Sequence, residues 1–306
     1  MNKISVFLLL VCLLTNCQGR NVQKPNELLL EAYTGGDYVK CLEILKDGAD
    51  GRIDISPSTP DYPVLFDICL KYLDNESRTP EIEELFNFYL KNRKEAFEDS
   101  IKGVHPAQTV GSYLARFASV ELLRQIAQEK ININSPDEII LDGYKFLSTA
   151  IYELASRTSK SIQSDYFYNL TINIDEKKIR MELLLDADAD VTSIHVFNGT
   201  IFHAFAWYPM EEDFTEVLDK MIEKGADLFY RTEGRSCIYF MFSAFTLEHN
   251  VERYLEYAVS RGLEVTKADL EQFYSIQYRL MRHNQLTEMQ LQQFERIKTI
   301  LESNVK

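Results

Sequence analysis

The chain repeats itself, and a repeat limits the folds open to it more sharply than any measure of composition. The stretch LEAYTGGDYVKCLEILKDGAD (30–50) holds an apolar helical segment, a glycine turn, a second apolar segment and then Gly48-Ala49-Asp50. NGTIFHAFAWYPMEEDFTEVLDKMIEKGAD (198–227) keeps that order and closes on Gly225-Ala226-Asp227, and GRSCIYFMFSAFTLEHNVERYLEYAVSRGLEV (234–265) does so again. In the middle copy, Phe214, Val217, Leu218, Met221 and Ile222 fall at i, i+3, i+4, i+7 and i+8, one apolar stripe along a helix. Gly225 follows where a helix stops on a left-handed residue, a conformation that a Cβ disfavours. One such helix pair has no way to bury its stripes alone, so pairs must stack on pairs.

Fainter copies fill the intervals. PVLFDICLKYLDNESRTPEIEELFNFYLKNR (63–93) is a helix pair with a lengthened loop, and GSYLARFASVELLRQIAQEKINI (111–133) is another. GYKFLSTAI (143–151) opens a further unit, with Lys145 at the position Thr200 holds later, and KKIRMELLLDADADV (177–191) closes it with an insert at 156–176 between. Thr266-x-x-Asp269 and Thr287-x-x-Gln290 have the form of N-terminal caps on two closing helices. The last of them, EMQLQQFERIKTILESN, carries Gln, Glu, Arg and Lys on one side, as the solvated end of an array requires.

Thr200-Ile201-Phe202-His203 and Ser236-Cys237-Ile238-Tyr239 stand 36 residues apart and resemble the Thr-Pro-Leu-His opening of the ankyrin repeat, whose period is about 33. With Gly48 and Gly225 in the Gly-Ala-Asp endings, residues 26–265 resemble about six divergent ankyrin-like repeats, followed by capping helices over 266–306. The resemblance implies an all-α, ankyrin-like solenoid of stacked helix-turn-helix repeats with a helical C-terminal cap. It also makes Thr200 and His203 structural, through a hydrogen bond between turns, and implies that inter-repeat tips hold another protein. The tips expected are near Ile53–Ser58, Ser135–Ile140, Thr192–Phe197 and Phe229–Glu233. LFYRTEGR (228–235) mixes aromatic and arginine side chains, the types enriched at the energetic centres of interfaces, so Phe229, Tyr230, Arg231, Glu233 and Arg235 are the candidate partner-binding residues.

The N-terminus carries an address. Lys3 precedes an apolar run, Ile4 to Leu14, too short to cross a bilayer and apolar on every side. Leu14-Thr15-Asn16-Cys17 resembles the lipobox of bacterial lipoproteins, which implies removal of residues 1–16, acylation of Cys17 and a lipid-anchored linker over 17–25. Gln18 is not the acidic residue of the inner-membrane retention pattern, so an outer membrane is favoured, with the side it faces left open.

Forty-five per cent apolar residues exclude general disorder, and a net charge of −14 excludes nucleic acid as an expected ligand. Cys41, Cys69 and Cys237 sit among apolar residues without metal or redox spacing and suit small buried hydrophobes, although a Cys41–Cys69 disulfide stays open. The histidines are scattered, the adjacent Glu83-Glu84 point apart on a helix, and Gly35-Gly36 suits a turn between helices. No cofactor or metal is expected. The function expected is a membrane-anchored, monomeric protein-binding scaffold at the cell envelope, without enzymatic activity. An enzyme or accessory subunit, with a site in the 156–176 insert or the C-terminal helices, is the alternative.

Overall fold

The computed structural model describes residues 24–56, 59–101, 108–134, 139–141, 144–146, 150–155, 176–194, 199–207, 213–243, 251–282 and 287–305. Cys17, the apolar leader and all of the 156–176 insert except Glu176 lie outside the described residues.

Within them the chain is mostly α-helical, in fourteen helices that follow one another as seven pairs. These are α1 (Pro25–Thr34) with α2 (Tyr38–Lys46), α3 (Val64–Leu73) with α4 (Pro80–Asn92), and α5 (Val110–Phe117) with α6 (Val120–Glu129). Then come α7 (Ala150–Ala155) with α8 (Lys177–Asp186), α9 (Ile201–Trp207) with α10 (Thr215–Glu223), α11 (Cys237–Ser243) with α12 (Val251–Ser260), and α13 (Lys267–Arg282) with α14 (Glu288–Asn304).

Local chemistry sets where these helices begin and end. Asp37, Thr79, Ser119 and Thr287 each accept a bond from a backbone N–H in the first turn of the helix that follows, satisfying a donor left open there. The C-termini share a left-handed stop: Ala49 N–H donates to Ile44 O at 3.1 Å, Ala226 to Met221 O at 2.9 Å and Leu263 to Ala258 O at 3.0 Å. The residue before each donor is a glycine at positive φ, namely Gly48, Gly225 and Gly262. The same turn closes α6 and α8, but Lys130 (φ 55°) and Asp188 (φ 59°) occupy the glycine position. That substitution is why the endings of these two units are faint in the sequence.

The pairs form two layers. Among odd-numbered helices α3 packs on α5, α5 on α7, α7 on α9, α9 on α11 and α11 on α13. Among even-numbered ones α2 packs on α4, α4 on α6, α6 on α8, α8 on α10 and α12 on α14. Tyr257 Oη donates to Asp219 Oδ1 at 2.6 Å and Arg253 pairs with Asp213 at 2.8 Å, tying α12 to α10. One apolar cluster runs between the layers from Leu29 to Leu301. The stripe expected on α10 holds, since Phe214, Val217, Leu218 and Met221 are buried and Ile222 packs at its margin. Cys41, Cys69 and Cys237 are free thiols buried in this core.

Hydrogen bonds from the starts of odd helices register one pair on the next. Thr200 Oγ1 donates to Asp227 O at 3.1 Å, Thr109 Oγ1 to Asn134 O at 3.4 Å and Ser236 Oγ to Asp269 Oδ1 at 3.0 Å.

Short hairpins depart from a purely helical chain. β1 (Asp54–Ser56) pairs with β2 (Thr59–Pro63), β3 (Ser100–Ile101) with β4 (Gln108–Thr109), and β5 (Ile139–Leu141) with β6 (Tyr144–Phe146), all antiparallel. Each lies between an even helix and the next odd one. Lys145 therefore belongs to strand β6, opposite Ile140, and not to a helix start. The helix of that unit begins later, at Ala150. The alignment of Lys145 with Thr200 is thus corrected: the hairpin takes up the residues that the sequence alone assigned to the helix opening.

Candidate partner-binding surface

After α10 the chain turns at Asp227, whose Oδ1 accepts the Phe229 N–H at 2.8 Å. Leu228 is buried and pins the turn to the core, which leaves Phe229 pointing outward with 56% of its surface exposed. Thr232 and Arg235 then bond to each other in both directions, at 3.0 and 2.9 Å, around Glu233 (φ 50°) and Gly234 (φ 78°). Two successive positive φ values make a type I′ turn, the twist that closes a two-residue hairpin. Glu233 accepts the strain of a left-handed non-glycine residue there.

The five residues singled out in the sequence divide into two groups. Phe229, Glu233 and Arg235 are exposed. Tyr230 and Arg231 turn inward: the Tyr230 ring meets the edge of His203 at 5.9 Å, and Arg231 Nη2 donates to Glu264 O at 3.0 Å. Arg231 Nη1 is buried without a hydrogen-bond partner among the described residues. These two side chains join the hairpin to its neighbours and hold it in place. Arg235 lies over the Tyr239 ring at 4.6 Å and 3.7 Å from Glu233, so its guanidinium is oriented by an aromatic face. Tyr239, at the start of α11, is thus a member of the surface that sequence reasoning placed in the repeat motif. The sequence aligned it with His203 and assigned it no role, and only the hairpin's fold brings Arg235 over it.

His203 is fully buried. Its Nδ1 accepts the Thr200 N–H at 3.2 Å and stands 3.1 Å from Thr200 Oγ1. Burial pushes its pKa down to about 4, so the ring is neutral at pH 7, and its contacts with Thr200 brace the start of α9. Gly199 before it has φ 69°, and a Cβ there would lie 2.8 Å from the imidazole. Gly48 and Gly225 stand in the turns that close α2 and α10, Thr200 directly precedes α9, and His203 lies in the first turn of that helix.

Among the other tips, β1–β2 occupies the expected 53–58 region and β5–β6 borders 135–140. The β3–β4 hairpin was missed, although Gly103 and Pro106 between its strands are turn residues that mark it. An open depression of about 400 Å³ separates it from the first hairpin, lined by Arg52, Asp54, Glu98, Asp99 and Ser100. Arg52 pairs with Asp99 across it. Among the described residues no group of three His, Cys, Asp or Glu side chains is placed to hold a metal ion, and no helix is long and apolar enough to cross a membrane. No protein-family model matches the chain, and no curated protein is similar to it.

Proposed function

We propose that this protein is an ankyrin-type solenoid that binds another protein through the hairpins between its helix pairs, tethered to a bacterial envelope by lipid on Cys17. The observation that carries the first part is positional. Three paired hairpins and the Thr232–Arg235 turn all stand between an even helix and the next odd helix. Threonine or serine links between units span 25, 27 and 33 residues, the longest equal to one ankyrin period of about 33. Exposed Phe229 and Arg235 supply the aromatic and cationic groups on which protein interfaces concentrate their energy. The lipobox Leu14-Thr15-Asn16-Cys17 supports the tether, and the array on it would be held within reach of envelope partners, at an outer membrane in preference to an inner one.

A photo-crosslinking amino acid at Phe229, compared with one at exposed Glu216 on α10, tests the binding face. A discrete adduct from position 229 and none from 216 is expected; adducts from both or from neither overturn it. For the tether, Cys17→Ser is expected to lose palmitate labelling and to move the protein into the soluble fraction. A variant that stays membrane-bound and uncleaved overturns the lipidation.

A further inference from the structure

Ten large apolar side chains are exposed among the described residues, and six of them (Tyr274, Tyr278, Met281, Met289, Leu291 and Val305) lie on the last helix pair or directly after it. They lie beside the polar side expected of a capping unit. On α13 the buried residues Phe273 and Ile276 face α11, where the Phe273 ring meets Phe242 at 5.3 Å. Tyr274, Tyr278 and Met281, at i, i+4 and i+7, form a second apolar stripe along the same helix, with 37%, 69% and 52% of their surface exposed. Among the described residues each odd helix from α5 to α11 packs on an odd neighbour to either side, whereas α13 packs on α11 alone among the odd helices. The stripe sits where a further unit would stack, and Leu291 at the start of α14 extends it.

Charge selects the occupant. The whole chain carries −14, so two copies repel over most of their surface. The helices α13 and α14 are the exception: together they hold five basic and five acidic side chains, with the basic excess on α13 and the acidic excess on α14. Arg279, Arg282 and Glu288 are exposed there and form no ion pair with described residues. A face with both signs and an apolar centre complements itself under a two-fold axis, α13 of one copy lying against α14 of the other. A strongly acidic or basic partner would meet no net attraction on it. We propose that the protein pairs end to end through this C-terminal face, as a two-fold dimer whose tips stay free.

This inference stands apart from the tip reading and concerns a different surface. Sedimentation velocity of the purified full chain tests it. The native protein is expected at twice the mass of its single chain. Tyr278→Glu with Met281→Glu is expected to sediment as a monomer that keeps the native circular dichroism spectrum, because both side chains are solvent-facing in the single chain. Val39→Glu, equally exposed but on α2 at the far end, is expected to remain dimeric. A native monomer at every concentration overturns the proposal and leaves the face to a different protein. Dimers that survive the double substitution overturn it as well.

Discussion

Gly111→Ala is expected to cost about 4 kcal/mol of folding stability, enough to unfold much of the chain at ordinary temperature. The residue is buried in the first turn of α5, and a Cβ on it would stand 2.1 Å from the Asn132 carbonyl oxygen and 3.2 Å from the Phe97 carbonyl. No side chain can rotate away to relieve such a contact, since both obstacles are backbone. The segment at 131–133 has no room to retreat, because Ile131 and Ile133 on either side of Asn132 are buried in the core. Thr109 at the head of α5 also bonds to Asn134 O, so the two segments are held together on both sides of the contact. Urea denaturation followed by circular dichroism measures the loss. Gly262→Ala is the comparison: nothing lies within 4 Å of its Cβ position, and only the positive φ of 92° opposes it, for a cost of about 1–2 kcal/mol. Equal losses in the two variants would show that Gly111 is chosen for something other than close approach.

Lys177→Met is expected to stabilise the protein by about 3 kcal/mol at pH 6.5, with the gain shrinking as pH rises. Lys177 opens α8 and is buried, its Nζ donating to Ala155 O at 2.9 Å and lying 5.5 Å from the centre of the Phe205 ring. Burial pushes the ammonium down to about 7 from an ordinary lysine value. The folded protein therefore releases this proton near pH 7, while the unfolded chain keeps it to about 10.4. In that interval the unfolded state binds more protons, so native stability rises with pH. From pH 7 to 8 the rise is about 1 kcal/mol, and Lys177→Met is expected to abolish it. The window closes above about pH 8.5, where unfolded thiols begin to ionise. Burial holds Cys41 up to about 11 and Cys237 up to about 12, so there the thiols make stability fall with pH. On the acid side His203, pushed down to about 4 by burial, makes stability fall as pH drops below about 6.5. Denaturant midpoints for both proteins at half-unit steps from pH 6.5 to 8.5 separate these contributions. Parallel curves would show that Lys177 is charged and solvated in the native state.

The tips illustrate how much of the proposed binding surface was legible. The turn at 232–235 was legible in 228–235, because turn residues are a local signal. Which side chains of the stretch face outward was not, since Phe229 and Tyr230 are neighbours of similar type. The difference arises where Tyr230 meets His203 and Arg231 reaches Glu264, thirty-three residues further on. Tyr239 was hidden for the same reason, its role depending on a hairpin folding back over it.

Gly48, Gly225, the α10 stripe and the caps at Thr266 and Thr287 state where helices start, stop and turn a face inward. Those are properties of a few consecutive residues, and the sequence by itself determined them. Lys130 and Asp188 hold the same left-handed turn without glycine, so there the flanking helices impose the backbone and the signal fades. The tertiary structure alone decided the burial of Lys177, the contact at Gly111 and the open face of α13. Each depends on what a distant segment brings to within a few ångströms, or leaves uncovered, and no run of neighbouring residues encodes that distance.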